Sequence, residues 1–560
     1  MKVRTKIIAT VFIVLVAITA IGYVRNNYKS ENVIETYEAD PEGIFRLLYS
    51  TLGYNQTATK RMLVRVTETP EKEVNENWSK WTIYRIDGEK VLSGHLEQAP
   101  DTYGMQLWEL DFSQIQETGE YYAEVKVKCG SQSETLCSQA FRIKADLLEE
   151  DLLPYITIWN AEARVAPEYL GGGYYDCNWS TMGEGYSHGV FLNGLAQTYE
   201  YYEENVSEEL KKRYWDASEI AFKYLLSLIT ETGAVDHQNV KRPNYQGIGC
   251  GIMNTQEALY GMATFMDIFS ESELASQENY EQILKVLKFA EEKKPYGWQA
   301  GYDTYHENLI PVYLHLYRYS GDENLKEKAV QLLNEQLDNF NLRTMWRNSW
   351  RAIPNFEGLA MCVEMFPDSE YQEYWLEKAV EIKDEYWADL ADRNAFRVVT
   401  SSTANHAEEE WDDMSKVPDG DPMLGSVVTQ CTAAYCIDAC ILGTLTGDNN
   451  MEKIATGQLD WVLGINPGLP QWTVTPTATN RNQEAAALIG GLPTRAVTVA
   501  YNVWRPKNEK IMTIVNGFSM DREPFHYENR WNESESFIKW DGAYAYAICV
   551  YEKYLDSMTQ

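Results

Sequence analysis

The stretch Thr446-Gly-Asp-Asn-Asn-Met-Glu-Lys-Ile-Ala-Thr-Gly-Gln-Leu-Asp-Trp-Val-Leu463 decides the fold of the larger part of this chain. Gly447 and Asp448 close one helix and open the next, and Ile454, Leu459 and Val462 then recur on one face at helical spacing. The same turn occurs earlier as Ser320-Gly-Asp-Glu-Asn-Leu325, ahead of inward-facing Ala329, Leu332, Leu333 and Leu337. Upstream, Asn205-Val-Ser-Glu208 reads as an N-cap with an acid three residues on. It leads a face of Leu210, Tyr214, Ala217, Ala221, Tyr224 and Leu228. Two copies of one turn between helices predict stacked αα-hairpins. A closed ring of helix pairs, an α/α toroid, is the economical architecture after Ala145, with a cleft built from loops at one end.

Before Ala145 the period changes to that of strands. Met62-Leu-Val-Arg-Val66, Trp81-Thr-Ile-Tyr-Arg-Ile86, Met105-Gln-Leu-Trp-Glu-Leu110, Tyr121-Tyr-Ala-Glu-Val-Lys-Val127 and Ala140-Phe-Arg-Ile143 alternate apolar and polar residues between turn signals such as Asp87-Gly88. Short strands of this kind predict an immunoglobulin-like β-sandwich over residues 43–146, with no catalytic constellation in it. Residues 147–560 form the helical domain.

At 560 residues the chain exceeds one ordinary core, in agreement with two domains. A net charge of −34 excludes the basic footprint that nucleic-acid binding requires. Seventeen Trp and 38 Tyr exceed what a core alone needs and suit a cleft that stacks sugar rings. Lys2, Arg4 and Lys6 precede an uncharged apolar run over residues 7–24. Its basic flank places the rest of the chain outside the cell, behind an uncleaved membrane anchor (residues 1–25) and a polar stalk (26–42). Cleavage of that segment would make the protein secreted. Of the nine Cys, Cys129 and Cys137 flank a turn between two strands and are disulfide candidates in an oxidising compartment. Cys431, Cys436 and Cys440 lie in an apolar helical run and read as small buried hydrophobes.

Three loops carry candidate chemistry. The first reads Gly171-Gly-Gly-Tyr-Tyr-Asp176-Cys-Asn-Trp-Ser-Thr-Met-Gly-Glu184-Gly-Tyr-Ser-His188, where glycines admit a ligand close to the backbone and carboxylates alternate with aromatics. The second runs from Gly464-Ile-Asn-Pro467 to Trp472, Asn480 and Arg481. The third is Glu535-Ser-Phe-Ile-Lys-Trp540-Asp541, at the mouth of a final helix that supports Glu535 beside a cleft. The acidic stretch Glu408-Glu-Glu-Trp-Asp-Asp413, with Asp419 and Asp421, offers oxygen ligands but lacks calcium-loop spacing, so it reads as a solvated face. No cofactor is expected; a structural Ca²⁺ is the one metal option left open.

Together these segments resemble glycoside hydrolase family 9, the cellulase family with an N-terminal immunoglobulin-like domain. Leu52-Gly-Tyr54, Lys60-Arg-Met-Leu63, Thr118-Gly-Glu-Tyr-Tyr122 and Ala140-Phe-Arg-Ile-Lys-Ala-Asp146 are similar to strands of that domain. Gly172-Gly-Tyr-Tyr-Asp176 resembles the start of the family's Gly-Gly-Trp-Tyr-Asp-Ala-Gly-Asp signature. Leu445-Thr-Gly-Asp448 and Gln458-Leu-Asp-Trp-Val-Leu-Gly-Ile-Asn-Pro467 resemble its late helix and loop, and Glu535 to Asp541 fits its Glu-Val-Ala-Ile-Asp-Tyr-Asn segment. The resemblance implies an (α/α)6 barrel and inverting hydrolysis of a β-linked glucan or related polysaccharide. Inversion needs a protonated carboxyl to supply the leaving oxygen and an ionised one to activate water, about 6.5–9.5 Å apart. It implies Glu535 as general acid and Asp176 as water-positioning group or base; Glu184, eight residues on in a Gly-flanked loop, is the alternative base. Tyr175, Trp179, His188, Trp472, Arg481 and Trp540 are the implied substrate contacts. His188 serves equally well as a structural histidine. The chain departs from the family in two places: Trp179 stands where the base Asp is expected, and Thr477-Ala-Thr-Asn-Arg481 keeps an Arg but has no His.

That departure keeps a second class open, a carbohydrate-binding pseudoenzyme accessory to surface polysaccharide synthesis or export. A lyase or epimerase on the same toroid, working through Tyr175 or Tyr186, is the third.

Overall fold

The computed structural model describes residues 37–38, 45–50, 52–66, 74–100, 102, 106–176, 183–202, 206–237, 252–292, 306–340, 352–387, 395–399, 429–466, 526–527 and 537–559. The first domain is a two-sheet sandwich. One sheet has the order β1 (Phe45–Leu48), β3 (Arg61–Val66), β7 (Gln106–Asp111), β6 (Glu97–Gln98). The other runs β2 (Tyr54–Asn55), β10 (Phe141–Lys144), β8 (Gly119–Cys129), β4 (Lys80–Arg85), β5 (Lys90–His95), with β9 (Gln132–Cys137) also paired to β8. On β8 the alternation is strict: Tyr121, Ala123, Val125, Val127 and Cys129 are buried while their neighbours face outward. They meet Met62, Val64, Trp108 and Leu110 of the facing sheet in one core. The Tyr121 hydroxyl donates to the Glu117 carbonyl at 2.7 Å, pinning the turn into β8. On β3 every residue is buried, because its second face lies against the helical domain: Leu48, Leu63 and Leu107 belong to that domain's core.

The helical domain alternates outer and inner helices. After α1 (Leu147–Asp151), a π turn at Tyr155–Trp159 runs into α2 (Asn160–Arg164). Outer helices α2, α4 (Glu208–Ser227), α6 (Gln277–Glu291), α8 (Glu323–Asp338), α10 (Gln372–Ile382) and α12 (Met451–Leu463) each precede an inner one. The inner helices are α3 (Gly185–Tyr201), α5 (Ile252–Ile268), α7 (Ile310–Ser320), α9 (Glu357–Met365), α11 (Thr429–Thr446) and α13 (Ile538–Thr559). Each inner helix packs on the next, and α13 packs back on α3, closing an (α/α)6 barrel. The repeated turn behaves alike in both copies: Gly321 and Gly447 sit at φ 69° and 66°, and Asp322 and Asp448 accept the amide two residues on. The cap of α4 is Ser207, whose hydroxyl accepts from Leu210 at 3.2 Å, one turn-step later than the Asn205 expected.

Ring closure is tightest between α3, α5 and α13. A Cβ on Gly542 would lie 2.4 Å from the Phe191 Cα, one on Gly194 2.2 Å from the Gly542 carbonyl, and one on Gly261 2.0 Å from the Gly189 carbonyl. The backbones are in direct contact there, and only glycine permits it.

Buried polar groups weld the two domains. Arg61, fully buried, donates to the Ala395 carbonyl (2.5 Å) and the Phe396 carbonyl (2.9 Å), and pairs with Glu109 at 3.1 Å and Asp460 at 3.7 Å. Asn55 donates to both Glu552 oxygens (3.1 and 2.9 Å), and Thr59 donates through its amide and its hydroxyl to Glu452. Burial pushes the Asp460 carboxyl up to about 7 against the opposing pull of Arg61. Burial and then the Glu149 carboxylate push Glu552 up to about 8.

The expected Cys129–Cys137 disulfide is not formed. The hairpin register sets Cys129 opposite Gln132 and Cys137 opposite Glu124, so the two stand five residues apart along β8. At strand rise this is roughly 16 Å, beyond the ~7 Å reach of a bridge. Cys431, Cys436 and Cys440 are buried side chains of α11. Among the described residues no helix is long and apolar enough to cross a membrane. The apolar run at 7–24 lies outside them.

Two expectations follow. Gly542→Ala forces α3 and α13 apart and costs about 2–3 kcal/mol in denaturant unfolding; wild-type stability would contradict the close approach. Glu552 favours its protonated form in the folded state, so its contribution is full at low pH and is lost as pH rises through about 8. Glu552→Gln therefore flattens the decline of stability between pH 5 and 8, by up to about 1.4 kcal/mol per pH unit. Identical slopes in urea titrations would contradict this.

Candidate active site

The first glycine loop is folded back on α2. A bridge joins Val165 to Tyr174, the Ala166 amide donates to the Gly173 carbonyl at 2.8 Å, and the Tyr175 amide donates to the Arg164 carbonyl at 2.8 Å. This delivers Asp176 to the mouth of the barrel, where its carbonyl oxygen accepts from the Arg164 guanidinium and from the Ile538 amide (3.2 Å), the first N–H of α13. Helix starts present unpaired N–H groups, so the loop caps the last helix of the chain. Arg164 Nε also donates to Asn160 Oδ1 at 2.6 Å, and Asn160 Nδ2 donates to Asp541 of α13. Loop, first hairpin and last helix are thereby one hydrogen-bonded unit.

The Asp176 side chain is fully buried. Its Oδ2 accepts the Glu184 amide at 3.1 Å, and the Ser187 hydroxyl lies beside the carboxyl. Burial, and next the Glu184 carboxylate, hold its pKa well above the ordinary Asp range. Two acids buried side by side cannot both ionise cheaply, which favours the protonated form of Asp176. Glu184, at the N-cap of α3, is also buried. Its Oε1 lies 3.1 Å from His237 Nε2, and the Tyr186 hydroxyl lies beside the carboxylate. His237 is held in place through its carbonyl, which accepts the Gly185 amide at 2.8 Å.

A second charged pair lies beside the first. Lys539 Nζ meets both oxygens of Glu257 on α5, at 2.8 and 2.6 Å, and both side chains are buried. The ammonium also lies 4.7 Å above the Tyr186 ring, which stacks on His237 at 6.1 Å and 23°. Burial, then the Glu184 and Asp176 carboxylates, hold the Tyr186 phenol well above its ordinary range.

Of the expected substrate contacts, Tyr175, His188 and Trp540 are buried. His188 accepts the Tyr174 amide at Nε2 (2.8 Å) and donates from Nδ1 to the Glu184 carbonyl (2.7 Å). It pins the glycine loop to α3, the structural alternative that its sequence context left open. Trp540 packs edge-on against Phe537 at 5.8 Å as a wall of the barrel mouth. Glu535, Trp179, Trp472, Arg481 and the acidic stretch at 408–421 lie outside the described residues. Among the described residues no cluster of three or more His, Cys, Asp or Glu is arranged to hold a metal ion. His237, Glu257, Lys539 and Arg164 were not singled out by sequence reasoning. The one signal that could have found the pair is a Lys set inside an apolar helix start, which requires a buried partner.

Residues 49–128 match the family model of the cellulase N-terminal ig-like domain. No curated protein is similar enough in sequence to match the chain. Among solved structures, a metagenome-derived glycoside hydrolase family 9 endoglucanase is similar over 91% of this chain and 99% of its own, with a TM-score of 0.60 and 14% identity. A family 9 protein of Bacteroides ovatus is similar over 91% and 98%, with a TM-score of 0.56 and 14% identity. AaCel9A, solved in complex with cellobiose-like isofagomine, is similar over 91% and 100%, with a TM-score of 0.55 and 12% identity. The chain has the fold of the family 9 endoglucanases, with the cellulase type of immunoglobulin-like domain in front of the barrel.

Proposed function

We propose that this chain is a family 9 type glycoside hydrolase that cleaves a β-linked glucan or related polysaccharide with inversion. The observation that carries the proposal is the buried Asp176–Glu184 pair at the barrel mouth, with His237 beside Glu184. The end-to-end likeness to family 9 endoglucanases supports it, and one of those was solved with a cellobiose-like sugar. Glu535 is the general acid in this proposal. It gives its proton to the leaving glycosidic oxygen as water attacks the anomeric carbon from the opposite face. The attacking water passes its proton to Glu184, which His237 orients, while protonated Asp176 completes the pair. The carboxyl pair thus takes over the work of the family's second Asp, whose place Trp179 fills. The run at 7–24 is proposed as the anchor that holds the barrel outside the cell, near glycans of the cell's own surface.

A panel of β-glucans and surface polysaccharides tests this with purified protein. Wild type releases oligosaccharides from at least one β-linked glucan, and Glu535→Gln and Glu184→Gln each lower kcat by about 10²–10⁴-fold. Wild-type turnover by Glu535→Gln would contradict the assignment. Oligosaccharide binding by the wild type without turnover of any glycan would favour the accessory binding protein.

A further inference from the structure

A lysine with nearly all of its side chain buried is expensive, and a single carboxylate partner does not by itself explain its retention. Lys539 stands at the start of α13 in such a place, its side chain 1% exposed and its partner Glu257 3% exposed. An apolar pair of similar volume would pack there at no greater cost. What an apolar pair would lack is a cation among the acids of the barrel mouth. Lys539 meets Glu257 from α5, the Tyr186 ring at the start of α3 and the Trp540 ring on its own helix, and Tyr186 in turn feels Glu184 and Asp176 and lies against His237, which pairs with Glu184. Arg164 donates to backbone carbonyls and to Asn160, which donates to Asp541, and its charge opposes the upward push on Asp176 from the other side of the pair.

The contacts form a chain. Lys539 clamps Glu257 with two short bonds and covers the face of Tyr186 at 4.7 Å, a cation–π arrangement strengthened by exclusion of water. Tyr186 lies in turn against His237, which holds Glu184. We propose that Lys539 is a positioning residue for the reaction assigned above: through Glu257 and Tyr186 it sets the charge on the Asp176–Glu184 pair without touching the sugar. The Lys539–Glu257 pair is neutral as a whole, but its positive end lies over Tyr186, whose phenol feels the Asp176–Glu184 pair. Removing the cation leaves three carboxyls and a phenol in one buried volume, and the pair then holds its protons to higher pH. Removing Glu257 instead leaves the cation uncompensated and moves the titration the other way. The kinetic part rests on the hydrolase reading; the titration does not.

The experiment compares Lys539→Met, Lys539→Arg and Glu257→Gln in the full chain. Two readouts are taken: the pH profile of kcat and KM, and an infrared titration of the buried carboxyl C=O band, assigned by its loss in Asp176→Asn. Lys539→Met is expected to raise the carboxyl titration and the acidic limb of kcat by about one pH unit, so that kcat falls about tenfold at pH values on that limb while KM stays within about twofold. Lys539→Arg restores the wild-type profile, and Glu257→Gln shifts the titration downward. Opposite shifts in the two variants are the signature that a merely structural pair would not produce. Unmoved titrations in both variants, or shifts of the same sign, would overturn the proposal even if activity falls. Should wild type hydrolyse no glycan, the infrared titration decides alone. Should Lys539→Met fail to fold, Glu257→Gln decides by the direction of its shift.

Discussion

Where α3 and α13 cross at Gly194 and Gly542 there is no space for a side chain. The Gly194 and Gly542 backbones touch, as do those of Gly189 and Gly261 between α3 and α5, and the rest of the helical domain is arranged around those contacts. They bring the first and last inner helices of the barrel together although nearly the whole domain separates them in sequence. Closure sets the start of α13 against the glycine loop, so that the Ile538 amide reaches the Asp176 carbonyl. It also carries Lys539 to Glu257 and to the ring of Tyr186. The site is therefore a product of ring closure rather than of any one loop.

Charge in this protein is divided between two regimes. Among the described residues many ion pairs join exposed side chains in high dielectric, where single pairs contribute little. The buried groups are few and consequential. At the domain junction Arg61, Asn55 and Thr59 reach into the barrel and find carbonyls or carboxylates waiting. Truncating one member of such a set strands its partner in low dielectric, at a cost of about 3–5 kcal/mol, which fixes the sandwich on the barrel more firmly than its apolar contact alone. At the barrel mouth the same physics is put to chemical use. Burial, and next the Glu184 carboxylate, push the Asp176 pKa up, and Glu184 has His237 as its counterpart.

The sandwich and the hairpin ring were legible because period and turn chemistry are local. The alternation on β8, and the Gly-Asp turns at 320–325 and 446–451, say what they form without help from the rest of the chain. Asp176 and Glu184 were visible for the same reason: glycines on both sides mark a loop that comes close to something. What the sequence did not disclose depends on register or on closure. Cys129 and Cys137 suit a bridge by spacing, but β9 pairs so that Cys137 faces Glu124. His188 looks like a ligand until its two ring nitrogens are seen bonded to backbone. His237 and Glu257 acquire meaning only from partners that lie 53 and 282 residues away in the chain.

The measurement that tests the account most directly is the anomeric configuration of the first product, followed by proton NMR as a soluble β-linked oligosaccharide is cleaved. An acid and a base working from opposite faces of the sugar release the α-anomer first, with the β-anomer appearing only by mutarotation. Initial release of the β-anomer would mean that a carboxylate attacks the sugar itself, and it would contradict the roles assigned to Glu535, Asp176 and Glu184.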